Sequence, residues 1–205
     1  MLAMSKPIRL PHKVMNSSRY ILHAIASSWL IYVFYQGITD NLGGDPVQAL
    51  LDFTGIGALN LLVMSLIISP LAMQTKFAQL IPLRRPLGLY AAVYAFAHFL
   101  VFVAFELQFE MKLVLNEIIE RPYITVGFLN LIILIVLSIT SITVLKKKMG
   151  SSWFTLHSLS YVAVILGGLH YLWLVKSAWY EPAIYLSFSA FLLYLRRQKI
   201  KKLFK

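Results

Sequence analysis

Residues 153–173 read WFTLHSLSYVAVILGGLHYLW. The run contains no Asp, Glu, Lys or Arg. As a helix rising about 1.5 Å per residue, it crosses the ~30 Å hydrocarbon layer of a bilayer. It also carries His157 and His170. Imidazole is a poor guest in hydrocarbon, so an intramembrane histidine is a functional candidate by default.

The surrounding sequence agrees with a membrane setting. The 205 residues are 59% hydrophobic and 13% charged, with a mean hydropathy of +0.74. Soluble domains have roughly 45–50% apolar and about 25% charged residues. Apolar segments can be laid over residues 19–36, 56–73, 86–107, 123–145, 153–175 and 180–195. The expected fold is an all-α integral membrane protein, one bundle of six transmembrane helices over residues 1–205, with short loops and no separate soluble domain. Pro86, Pro122 and Pro182 sit at or just before helix starts, where a missing N–H costs nothing. Gly43-Gly44-Asp45-Pro46 reads as a turn. The basic N-terminus and Ala24-Ile25-Ala26 imitate a signal peptide. Too few apolar residues separate Arg19 from that triplet, however, and the apolar run continues to Tyr35, so the first span is read as retained.

The net charge of +11 is distributed as in a membrane protein, not a nucleic-acid binder. Lys6, Arg9, Lys13 and Arg19 precede span one; Lys76, Arg84 and Arg85 lie between spans two and three. Lys146, Lys147 and Lys148 lie between four and five; Arg196, Arg197, Lys199, Lys201, Lys202 and Lys205 follow six. Sixteen of the nineteen basic residues thus fall on one side, and all eight acidic ones on the other. The positive-inside rule then puts both termini in the cytoplasm, with the basic tail against anionic lipid.

His23, His98, His157 and His170 are the ionisable side chains well inside spans. His98 lies twelve residues above Pro86, ~18 Å up, and His170 lies thirteen above His157, ~20 Å higher. His98 and His170 can therefore share a level in the outer half, with His23 and His157 in a second layer below. Two imidazoles facing each other across a bundle can ligate heme iron axially. The alternative is neutral core histidines bonded to carbonyls of neighbouring helices. On a straight helix His157 and His170 stand some 140° apart, so they cannot both face one cofactor. His23 is shallow enough to snorkel. His12 precedes the first span and reads as solvated.

Other chemistries fit poorly. Without cysteine there is no disulfide, thiolate metal site, iron–sulfur cluster or thiol catalysis. Zinc wants three converging ligands, and no carboxylate is available at that depth. A Ser-His-Asp hydrolase fails for the same reason. A proton-coupled transporter would want a midplane carboxylate or a broken helix.

Five segments carry a family resemblance: GGDPVQALLDFTG (43–55), SPLA (69–72), RRPLGLYAAVYAFAH (84–98), RPYITVG (121–127) and LHSLSYVAVILGGLHYLWLVK (156–176). In order and spacing they resemble the MsrQ (formerly YedZ) family, the heme-binding membrane subunits of bacterial MsrPQ systems. The wider group is similar to the ferric reductase and NADPH oxidase transmembrane cores. The resemblance implies an inner-membrane protein holding heme b, one or two per chain, with FMN also attributed to the family. Electrons would come from the quinone pool or a cytoplasmic flavin reductase. They would pass to MsrP, a periplasmic molybdopterin enzyme that reduces methionine sulfoxide in proteins. The implied ligands are His98, His157 and His170, and His23 matches a family histidine near the start of span one. Arg84 stands where the four-histidine oxidase pattern has its first histidine, so only His98 with His170 maps directly as a pair. His157 would need His23 or ligate alone. Ile56, after FTG, and Met73-Gln74, after SPLA, stand where the family has arginine. Arg84 and Arg85 read either as inside-positive anchors or as partners of heme propionates, FMN phosphate or a quinone carbonyl. Arg121 would pair with Glu117 or Glu120, or touch a partner or an outer propionate. Acidic outer loops are usually just solvated; they could also steer a soluble partner.

The expected function is that of an electron conduit without a substrate-reducing site of its own. The rivals are a stand-alone ferric reductase, a cytochrome b anchor subunit, and a non-redox scaffold or transporter.

Overall fold

The computed structural model describes residues 12–175 and 177–198. Lys6, Arg9, Lys199, Lys201, Lys202 and Lys205 lie outside the described residues, as do the side chains of His12 and Lys13. The described chain is helical, with no strand among the described residues. The helices are α1 (His12–Ile38), α2 (Pro46–Gln74), α3 (Arg84–Val101), α4 (Met111–Glu120), α5 (Pro122–Ile139), α6 (Thr143–Met149), α7 (Ser152–His157), α8 (Leu159–Leu174) and α9 (Tyr180–Leu195). A 3-10 turn, Ala78–Leu83, leads into α3, and a π-helical turn, Phe102–Glu106, ends it. Among the described residues, five stretches are long and apolar enough to cross a membrane: Val14–Ile38, Pro46–Gln74, Ala78–Glu106, Pro122–Ile139 and Ser152–Leu174. The sixth expected span is α9, which has sixteen residues; at ~1.5 Å each it is about 24 Å long, short of a full crossing.

Several boundaries differ from those expected, each for a local reason. α2 begins ten residues before the expected Ile56, because Asp45 caps it (Oδ1 accepts from Gln48 N at 2.9 Å) and Pro46 opens it. The fourth span stops at Ile139 rather than Leu145. The Thr140 and Ser141 hydroxyls donate back to the Val136 and Leu137 carbonyls, the Trp153 indole N–H takes the Thr140 carbonyl, and Ile142 is extended. The fifth span is interrupted at Ser158, between α7 and α8. Between the third and fourth spans, where a loop is expected, α4 is an amphipathic helix whose Val114 clusters with Val103 and Leu107.

α2 is central and packs along α3, with α5, α8 and α9 completing the bundle. The core joins Leu59, Leu62 and Leu66 of α2 to Ala91 of α3, Leu134 of α5 and Val164 of α8. Small residues, Ala91, Ala92 and Ala163, let the backbones approach closely. α1 lies outside this core and runs parallel to α3. Tyr90 and Tyr94 donate to the His23 and Ala26 carbonyls at 3.2 and 2.8 Å, and Val33 packs on Val101.

At the basic end a helix defect is used as a joint. Pro70 sits inside α2 and has no N–H to offer the Leu66 carbonyl, four residues back. Arg196, at the end of α9 and only 7% exposed, donates to that carbonyl and to the Tyr161 hydroxyl. Next to it, Arg84 Nε donates to the Ser65 carbonyl at 3.3 Å, and Ser65 Oγ returns a bond to the Arg84 carbonyl at 3.1 Å.

Arg196→Met should therefore destabilise the purified protein by about 1.5–3 kcal/mol, the worth of a charge-assisted bond. Pro70→Ala gives Leu66 a helix donor of its own, so the same change should cost less in that background. A double-mutant cycle on unfolding in mixed detergent measures the coupling; strict additivity would show that Pro70 and Arg196 are unconnected.

Candidate functional site: two histidines across a cavity

His98 comes from the last turn of α3, and His170 lies four residues before the end of α8. Their ring centres lie 6.2 Å apart, with the planes nearly perpendicular at 86°. Both rings line one cavity of about 340 Å³ between α2, α3, α5 and α8.

The two rings are held by the same device. His98 Nδ1 meets the Leu51 carbonyl of α2 at 3.0 Å, and His170 Nδ1 meets the Tyr123 carbonyl of α5 at 2.7 Å. A carbonyl accepts only, so each Nδ1 is assigned the ring proton. In each case a glycine stands four residues after the carbonyl, one helical turn along. A Cβ at Gly55 would lie 3.0 Å from His98 Nδ1, and one at Gly127 would lie 2.7 Å from the same atom of His170. The missing side chains are what let each imidazole reach a main-chain oxygen. Thr54, fully buried, gives its proton to the Leu50 carbonyl at 2.6 Å and leaves its oxygen 3.4 Å from His98 Nδ1.

Fixing Nδ1 leaves each Nε2 with a lone pair, and among the described residues neither has a hydrogen-bond partner. Metal–imidazole nitrogen bonds are roughly 2 Å; two of them plus the half-width of each ring put the ring centres about 6 Å apart. The observed 6.2 Å meets that requirement. The cavity walls between the rings are mostly apolar, including Ile56, Phe99, Phe128 and Leu131, which suits a macrocycle. Asn130 also faces the cavity, and its buried Oδ1 has no partner. Asp52, Glu106, Glu117 and Arg121 line the acidic-end part of the cavity. Arg121 pairs with Glu117 at 2.8 Å and donates to the Tyr123 hydroxyl at 3.2 Å.

The second layer is not assembled in the same way. His157 stacks on Trp153 with ring centres 3.9 Å apart, and its Nε2 is 3.1 Å from Thr140 Oγ1. Lys146 Nζ lies over the Trp153 ring, 4.4 Å from its centroid. His23 is on the exposed face of α1, with Nδ1 3.2 Å from the Tyr90 hydroxyl. No contact joins His23 to His157. Arg84 is committed to Ser65, whereas Arg85 is exposed. Among the described residues no three His, Asp or Glu side chains gather to hold a bare metal ion. The two glycines, Gly55 and Gly127, were missed as site residues. Their signal lay in the spacing of FTG and ITVG, where each glycine ends a turn that begins at a histidine's carbonyl partner.

Comparison with known proteins agrees with this architecture. A family profile described as "Ferric reductase like transmembrane component" matches residues 54–168. "Protein-methionine-sulfoxide reductase heme-binding subunit MsrQ" of Pasteurella multocida is 35% identical over 178 residues, 85% of this chain and 86% of that protein. The protein of the same name from Salmonella paratyphi B is 36% identical over 196 residues, 95% of this chain and 98% of that one. The chain therefore belongs to the MsrQ family, within the ferric-reductase-like transmembrane components.

Proposed function

We propose that this chain is the heme b electron-transfer subunit of a protein-methionine-sulfoxide reductase system in a bacterial inner membrane. One observation carries the reading: two imidazoles with free Nε2 atoms stand 6.2 Å apart across an apolar cavity. In this reading the basic end faces the cytoplasm and both termini lie there, as the charge asymmetry requires. α9 counts as the sixth span, its short length met by local thinning of the bilayer.

Bound heme supplies one-electron redox chemistry. The chain's residues do the rest. His98 and His170 would hold the heme iron through their Nε2 atoms. The Leu51 and Tyr123 carbonyls hold each ring in one tautomer and one orientation, the role that outer hydrogen bonds play at metal sites. The apolar walls keep water from the ring faces. The acidic-end part of the cavity lies on the periplasmic side, and its carboxylates favour a positively charged face on an MsrP-like molybdopterin reductase. The electron donor is a membrane quinol or a cytoplasmic flavin reductase. An FMN phosphate would find its cation at exposed Arg85, because the Arg84 guanidinium is already engaged. His157 is a second-level ligand only if it gives up Thr140.

An absorption spectrum of the purified protein tests the reading. Dithionite should produce a sharp b-type α-band. His98→Ala and His170→Ala should each abolish the same band, and His157→Ala should keep it. A band that survives either of the first two changes would exclude the pairing.

The glycine cradles give a second test. Gly127→Ala puts a methyl group where the His170 ring lies, so heme occupancy should fall at least as far as in Gly55→Ala, where the contact is longer. Heme per protein, measured by pyridine hemochrome with monodispersity as the control for folding, reads the difference. Full occupancy in both variants would show that the rings are not seated through these carbonyls.

A further inference from the structure

We propose that α4 is an interfacial helix resting in the membrane leaflet at the acidic end of the bundle, with Met111, Leu115 and Ile119 turned into lipid. This placement is independent of which residues hold heme.

α4 carries more apolar surface than the bundle covers. On one face Val114 is buried with Val103 and Leu107, and Ile118 packs against that cluster together with Phe99 and Phe102. Beside it Met111, Leu115 and Ile119 form a second stripe at four-residue spacing, and they are 57%, 60% and 76% exposed. Lys112, Asn116 and Glu120 each follow one residue later, about 100° further round the helix, and are exposed too. Leu113 is the one apolar residue on that polar side. Round its circumference the helix is thus packed, then apolar and open, then polar.

Depth decides what covers the open stripe. The third span ends at Glu106, and the chain folds straight back. Gln108 and Phe109 have φ of 49° and 60°, and Phe109 N donates to the Val103 carbonyl at 2.9 Å, inside that span. At the other end of α4, Thr125 Oγ1 donates to the Ile118 carbonyl at 2.5 Å. Thr125 belongs to the first turn of the span Pro122–Ile139. Both ends of α4 are therefore tied to residues within spans, not above them. Phe99, which packs against the α4 cluster, is seven residues before Glu106, about 10 Å along the helix.

At that level the open stripe meets the boundary between acyl chains and head groups. Phe105 and Phe109, both exposed, lie at the same level, as aromatic residues of an interfacial belt do. A helix of ten residues, about 15 Å long, with one apolar and one polar open side suits a seat in the plane of that boundary. A soluble protein could reach the stripe only by displacing lipid. The seat also steadies Glu117, which points from the packed side of α4 to the cavity mouth and pairs there with Arg121.

The test uses the full-length protein in lipid nanodiscs. The chain has no cysteine, so Leu115→Cys, Ile119→Cys, Lys112→Cys, Asn116→Cys and Glu120→Cys each give one attachment point for a nitroxide. All five positions are exposed, and monodispersity checks that each variant folds. Collisions with oxygen, which concentrates in lipid, are compared with collisions with a water-soluble nickel chelate. The oxygen-to-nickel ratio should be several-fold higher at positions 115 and 119 than at 112, 116 and 120. Equal ratios at all five would overturn the proposal, since α4 would then stand clear of the membrane. Higher nickel access at 115 and 119 would also overturn it, and would leave the stripe open to a soluble partner.

Discussion

Hydrocarbon offers a polar side chain no hydrogen-bond partner, so the polar side chains that hold this fold together draw their partners from the protein itself. The partner used again and again is a main-chain carbonyl on another helix. His98 takes Leu51, His170 takes Tyr123, Tyr94 takes Ala26, Arg84 takes Ser65, Arg196 takes Leu66 and Trp153 takes Thr140. Each bond ties one helix to the backbone of another. Together they set both the depth and the rotation of the elements that carry the histidines, which dispersion contacts between smooth apolar faces specify less sharply.

A helix carbonyl already bonded within its own helix still has a second lone pair, but side chains usually crowd it. The protein opens access in two ways. At the acidic end a glycine one turn further on removes the obstruction, at Gly55 and at Gly127. At the basic end Pro70 removes the competing N–H and leaves Leu66 free for Arg196. The first device seats the two cavity histidines and the second makes a joint between α2 and the end of α9. Both rest on residues that a helix interior normally resists.

Much of this architecture could be read from the chain, because the bilayer imposes long apolar runs and a one-sided charge distribution. The shared level of His98 and His170 followed from counting rise along two spans. Departures arose where local hydrogen bonds overrule hydropathy. Thr140 and Ser141 end α5 although the apolar run goes on, and Ser158 breaks a span that reads as continuous. α4 was hidden because its apolar face is too short to resemble a span. The resemblance leaves His157 to pair with His23 or to ligate alone, and a shared depth says nothing about which way either ring points. Rotation about the helix axes turns His157 towards Trp153 and Thr140, and His23 towards Tyr90.

The choice of carbonyls to hold the two site histidines has a consequence for charge bookkeeping. Elsewhere a metal-bound imidazole often leans on a carboxylate, which can take the Nδ1 proton and turn the ring towards imidazolate. The Leu51 and Tyr123 oxygens accept a hydrogen bond but have no basicity with which to remove that proton. Each ring therefore keeps its Nδ1 proton on the side that faces its carbonyl. In the proposed reading, a heme held by such rings would gain or lose an electron without its ligands giving up their Nδ1 protons, which would insulate that step from the pH gradient across the membrane.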